Sequence, residues 1–258
     1  MRLMKRILSA AAVLALSASL LVGCSSGTAS SVPVSASSAA ESTVSSVEET
    51  ASSAVDENEA AAAQLLNDLT GSYQELWPVI LADEYKQTWL DDCTALVGED
   101  NAEAAFEKLS SMVTSDVYGE DAVKAYANGG GAYFCGFTNS LATLTFDGET
   151  STISGTDKDG NVLFSHTYHY IGMEPVRGLY EFESDDADSG EFTYFFLAPD
   201  TSAETYHIEF RYGSDAEALS QYDAGEYAYW VASGISTDCD QTMIDNCIEL
   251  FCTENLAG

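Results

Sequence analysis

The stretch that decides the fold is Asp159-Gly160-Asn161-Val162-Leu163-Phe164-Ser165-His166-Thr167-Tyr168-His169-Tyr170-Ile171. Asp-Gly is a turn pair, and the run that enters through it, Asn161 to Ile171, is dominated by aromatic and β-branched residues, which suit a strand. Working outward, the hydrophobic period is two from Tyr133 onward. Upstream, Leu144 and Phe146 lead into a second Asp-Gly turn at Asp147-Gly148. Downstream lie four more short runs, Leu179–Glu183, Phe192–Leu197, Tyr206–Tyr212 and Tyr227–Val231. Short strands with Gly/Asp turns at this spacing predict an antiparallel barrel or sandwich.

The front half reads as helical. Asp56 to Leu69 places Leu65, Leu66 and Leu69 on one face and stops near Gly71. A short Tyr73–Trp77 stretch follows, and Pro78 opens an apolar segment running to about Cys93. Asn101 is placed to cap a helix through Phe106, Leu109, Met112 and Val113, and a further piece through Val123 and Tyr126 ends at Asn128-Gly129-Gly130-Gly131. Ser214-Asp215-Ala216-Glu217 has the form of a capping box for a short helix. A last helix from about Asp238 turns Met243, Ile244, Cys247, Ile248 and Phe251 inward.

The N-terminus has its own pattern. Arg2, Lys5 and Arg6 precede an apolar stretch from Ile7 to Val22, too short to span a membrane comfortably, and a Ser/Thr-rich tract follows at once. Leu21-Val22-Gly23-Cys24-Ser25-Ser26 resembles the lipobox of bacterial lipoproteins, which implies a signal peptide over residues 1–23 and lipid on Cys24. Residues 24–58, rich in Ser, Ala, Val and Glu with one Pro (Pro33) and no aromatic residue, are expected to be a disordered stalk. Residues 59–258 hold every Trp, Tyr and Phe, enough for one domain with a full core. The expected location is extracytoplasmic, anchored to the bacterial cell membrane. The chain carries 42 acidic against nine basic residues, a formal net charge of −33. Three of the nine basic residues leave with the signal. Such a balance excludes a nucleic-acid partner, whose phosphates require Lys and Arg.

Within the domain, three blocks resemble the ZinT domain family. Thr167-Tyr168-His169-Tyr170-Ile171-Gly172 with Val176-Arg177-Gly178-Leu179-Tyr180-Glu181-Phe182-Glu183 is similar to one block. Thr193-Tyr194-Phe195-Phe196-Leu197-Ala198-Pro199 with Thr205-Tyr206-His207-Ile208 resembles the next, and Leu69-Thr70-Gly71-Ser72-Tyr73-Gln74-Glu75-Leu76-Trp77-Pro78 the opening motif. The resemblance runs in order from about Leu66 to the C-terminus. It implies an α+β, mainly β fold, a calycin-like antiparallel barrel with flanking helices. It also implies zinc binding outside the cytoplasm, with metal-uptake transporter components as possible partners.

The family holds zinc mainly through three histidines, one four residues before the Ala-Pro proline and two in a His-x-His on the next strand. Here those positions are Phe195, Thr205 and His207, so one imidazole survives, whereas a zinc site needs three or four good ligands. Thr205, His207, Glu209 and Arg211 share one strand face and Tyr206, Ile208, Phe210 and Tyr212 the other. Glu209 is therefore the candidate second metal ligand beside His207, with Arg211 on the same face either pairing with it or repelling a cation. The competing reading makes His207 a hydrogen-bonded residue of a remodelled pocket.

Other features read more simply. His166 and His169 are three apart and point to opposite faces of a strand. Asp157-Lys158-Asp159-Gly160-Asn161 fits a hairpin turn, because Gly155 and His166 stand where a calcium loop requires ligands. Asp185-Asp186-Ala187-Asp188 reads as a solvated loop. The aromatic strands read as barrel core or, alternatively, as the lining of a pocket for a small apolar ligand or a protein partner. No Ser/His/Asp or Cys/His spacing and no phosphate-cradling loop appears, so the expected role is binding and not catalysis. Cys93, Cys135, Cys239, Cys247 and Cys252 form an odd set beyond Cys24. Cys247 and Cys252 point apart on a helix, so a bridge joining that helix to Cys93 or Cys135 is favoured, with the pairing left open.

Overall fold

The computed structural model describes residues 57–129, 132–198 and 207–257. The expected signal peptide, Cys24, most of the stalk and Thr205 lie outside the described residues. Helix α1 (57–68) is followed by β1 (Gly71–Glu75), α2 (Leu76–Ile80), α3 (Lys86–Val97), α4 (Glu99–Ser111) and α5 (Glu120–Ala127). Then come β2 (Thr143–Asp147), β3 (Thr152–Thr156), β4 (Val162–Met173), β5 (Tyr180–Ser184), β6 (Tyr194–Leu197) and β7 (His207–Gly213). Helix α6 (Ala216–Leu219), β8 (Ala232–Ser236) and α7 (Gln241–Leu256) complete the chain.

The eight described strands form a closed barrel in sequence order, every neighbouring pair antiparallel. Closure comes from β1, whose Tyr73, Gln74 and Glu75 pair with Ser236, Ile235 and Gly234 of β8. The expected calycin-like barrel with flanking helices is the fold observed. Closure leaves no strand edge open to pairing with another chain.

Several local expectations need correction. The front half is not wholly helical, because Gly71–Glu75 is the first barrel strand. Only Tyr73 is fully buried there, too few apolar positions for the alternation to show. Tyr227–Tyr229 is turn, Trp230 makes a single bridge to Phe134, and β8 begins only at Ala232. Strand β3 carries one large apolar side chain, Ile153, and was not expected. Helix α4 starts after Gly98, while Asn101 turns its amide back to the Val97 carbonyl at 3.0 Å. The short helix α6 is capped by Asp215, whose carboxylate accepts the Ala218 N–H at 3.0 Å, in place of Ser214. The C-terminal helix starts at Gln241 behind Asp240, which caps Met243 N–H at 3.0 Å.

Two apolar clusters hold the domain. One fills the barrel and continues into α1 through Ala62, Leu65, Leu66 and Leu69. The other lies outside the barrel wall, where α2, α3, α4 and α7 pack over Ile235 of β8. There Trp89 is fully buried and donates its indole N–H to the Ile80 carbonyl at 2.7 Å. Gly148 sits in the β2–β3 turn directly beneath α1, with Asn67 Cα only 2.4 Å from where a Cβ would stand. At Gly155 of β3 the same test meets Leu141 and Phe164 side chains at 2.4 Å, so the barrel interior has no room for even a methyl group there.

Candidate functional site

Register pairing defines the two faces of the barrel wall. Phe182, Phe195 and Tyr212 are partners across β5, β6 and β7, and share the inner face. The Phe195 ring lies 5.4–6.4 Å, centroid to centroid, from the rings of Phe164, Tyr168, Phe210 and Tyr212. Phe192 stacks on Phe164 at 3.9 Å, and Trp230 meets Tyr212 edge-on at 5.0 Å. Phe195, Phe210 and Tyr212 are each fully buried. The aromatic strands are thus packed core, and rings fill the inner wall.

His207 and Glu209 stand on the other face. Their partners on β8 are Ile235 and Ser233, and Ile235 belongs to the helical cluster outside the barrel. Ile208, Phe210 and Tyr212 alternate with them and point inward. His207 and Glu209 do share a strand face, as expected, but Phe195 lies on the opposite side of the wall. The positions that the resemblance groups around one ion are therefore split between inside and outside. Strand period alone identifies two faces without saying which of them the barrel encloses. Among the described residues no three His, Cys, Asp or Glu side chains converge as metal ligands. This donor set does not fit a tight zinc site.

Arg211 follows the same outer face and is fully buried. Its guanidinium donates to the Leu219 and Tyr227 carbonyls and, at 3.3 Å from Nη2, to the Gln221 carbonyl. Tyr222 lies between the two arginines of the described residues, with Arg211 Cζ 4.4 Å and Arg177 Cζ 4.1 Å from its ring centroid. Burial pulls the Arg211 guanidinium down to about 10, against the pull of Tyr222. Arg211 therefore pins the 214–231 segment to the barrel wall. His166 and His169 each bond an aspartate through Nδ1 at 2.7 Å, Asp186 and Asp185 respectively. The Asp185–Asp188 loop is thereby tied to β4.

A cleft of about 330 Å³ is lined by Glu75, Trp77, Leu81, Val113, Phe134 and Cys135 among others. Glu75 accepts the Phe137 N–H at 2.5 Å. The buried Trp77 indole N–H is turned toward the Cys135 sulfur, an interaction that partly offsets the rise of its thiol. Burial pushes the Cys135 thiol up to about 12, and the Glu209 carboxylate adds to the shift. Glu209 is thus brought near Cys135 and not to Phe195. Sequence reasoning missed this cleft. Its lining comes from three separate segments, and no local pattern joins them.

No family model matches the chain, and no curated protein matches it significantly. Among solved structures, the Zn(II)-bound ZinT-like domain of Streptococcus pneumoniae AdcA is 15% identical with a TM-score of 0.45, covering 71% of this chain and 89% of that one. Zn(II)-bound AdcA from Streptococcus pneumoniae is 14% identical with a TM-score of 0.42, covering 72% of this chain. The match spans 35% of the length of that AdcA chain.

Proposed function

We propose that this chain is a non-enzymatic, extracytoplasmic binding module of the ZinT kind, tethered to the membrane by lipid on Cys24 and tied to zinc or other divalent-metal handling, with its metal position altered. The observation that carries the alteration is Phe195, a fully buried ring in the inner wall where the resembling motif has a histidine. Two of the blocks that carry the resemblance fall on consecutive barrel strands, β4 to β7, and the opening motif falls on β1 and α2. What remains for a cation is an outward pair, His207 and Glu209, one nitrogen and one oxygen donor two residues apart. Two protein ligands leave the rest of a coordination shell to water, so binding is weak and exchangeable.

Calorimetric titration with zinc tests this reading. The wild-type chain takes up zinc weakly, and His207→Ala loses that uptake. No binding by either, or equal binding by both, removes the metal role from this pair. Detergent phase partitioning checks the anchor, since a Cys24→Ser chain moves to the aqueous phase.

The cleft lined by Glu75, Trp77, Val113 and Cys135 supports a second reading, a metal-independent module for a small amphipathic ligand. Its apolar walls and one carboxylate fit such a molecule. Native mass spectrometry of cell-derived protein then shows a co-purified organic mass that Val113→Trp displaces. An empty chain that takes up zinc stoichiometrically counts against it.

A further inference from the structure

Cysteines 93 and 252 are 159 residues apart in sequence, yet their Sγ atoms lie 3.9 Å from each other. Cys93 sits on the face of α3 that packs against α7, and Cys252 in the last turns of α7. Both are fully buried, and the five cysteines of the described residues are reduced in this structure. Cys135 lines the cleft with Trp77, and no hydrogen bond joins it to either sulfur of this pair. We propose that Cys93 and Cys252 are a disulfide pair that clamps the C-terminal helix to α3 when the chain meets an oxidant. An S–S bond is about 2.0 Å long, so the sulfurs need to approach by about 2 Å.

Burial raises both thiols while α7 is docked. Once α7 is undocked, the thiolate of either cysteine, formed by loss of one proton, attacks a sulfur of an external low-molecular-weight disulfide and expels one thiolate. The thiolate of the other cysteine, after losing its own proton, attacks the protein sulfur of the mixed disulfide and expels the second. One S–S bond is made in the protein and one is broken in the oxidant, and the two protons end on the two released thiols. Because neither sulfur is exposed, exchange proceeds from a state in which α7 is undocked, and the finished bridge is shielded once the helix returns. An oxidising compartment, as the proposed export supplies, holds such a bridge closed.

Detergent-solubilised full chain, equilibrated in a glutathione redox buffer and digested without reductant, tests the pair by peptide mass mapping. The expected result is a cross-linked peptide joining Cys93 to Cys252, lost in Cys93→Ser and in Cys252→Ser. It persists in the triple variant Cys135→Ser, Cys239→Ser, Cys247→Ser. Reductant lowers the melting temperature of the oxidised chain by roughly 5–10 °C. Five unmodified thiols at equilibrium, or a dominant bridge at another pair, overturns the proposal. The triple variant keeps both sulfurs in place, so failure to cross-link there overturns it as well. A chain that bridges in vitro but is recovered reduced from cells supports the pair and counts against the export reading alone.

Discussion

Phe195 and His207 illustrate how much one strand face decides. Phe195 points into a wall of rings and His207 away from it, although the two residues sit on adjacent strands. Phe195→His therefore buries an imidazole among apolar rings without bringing it to His207. The expected outcome is a loss of about 2–3 kcal/mol in stability, from packing and an unpartnered polar group, with no gain in zinc affinity. Urea denaturation and calorimetry read the two effects separately. A tenfold rise in zinc affinity would mean that the two side chains reach a common ion and that the face assignment is wrong. The identity of both residues was legible in the sequence, as was the sharing of a face by His207 and Glu209. Which face lies inside was not, because a period of two is symmetric about the strand.

At the level of elements, α1 depends on a glycine outside it. A Cβ on Gly148 meets Asn67 Cα at 2.4 Å, Asn67 N at 2.6 Å and the Leu66 carbonyl at 2.6 Å, all backbone atoms that cannot rotate away. The Gly148 N–H also donates to Thr70 Oγ1 at 3.0 Å. Gly148→Ala is expected to displace α1 from the β2–β3 turn at a cost of about 1–3 kcal/mol. Limited proteolysis then cleaves within residues 57–70 faster than in the wild type, and an unchanged rate would show that α1 docks without this contact. Element type was legible wherever a run was long and strongly patterned, as in β4 and α7. It failed at β1 and β8, five-residue strands whose place comes from pairing with each other across about 160 residues of chain. At Tyr227–Val231 the aromatic run suggested a strand. Tyr229 instead takes a left-handed φ of 57° and its ring stacks on Tyr126 at 3.6 Å, so the run is a tertiary turn.

Across the whole molecule, burial of tyrosines and thiols sets an alkaline limit on stability. Tyr73, Tyr126 and Tyr222 are raised from 10.0 to about 12, and Cys135 and Cys247 from 9.0 to about 12, mainly by burial. For groups raised on folding, the neutral form is the one the fold holds. Their contribution is fully present below about 9 and is lost as pH rises from 9 toward 12, because the unfolded chain releases these protons first. The urea midpoint is expected to hold up to about pH 9 and to fall from there toward about pH 12, the window set by that linkage. A flat midpoint over that interval would show that these groups are solvated in the folded state.

Sequence by itself determined the acidic balance, the placement of all aromatic residues in one domain, the turns that separate the middle strands, and the amphipathic last helix. Each is a local property of composition or period, readable from neighbours a few residues apart. Tertiary structure alone decided that β1 closes on β8, that His207 looks outward, that a cleft forms between Glu75, Val113 and Cys135, and that Cys93 meets Cys252. These depend on which face a closing sheet turns inward and on contacts between residues far apart in the chain, and neither leaves a local signature.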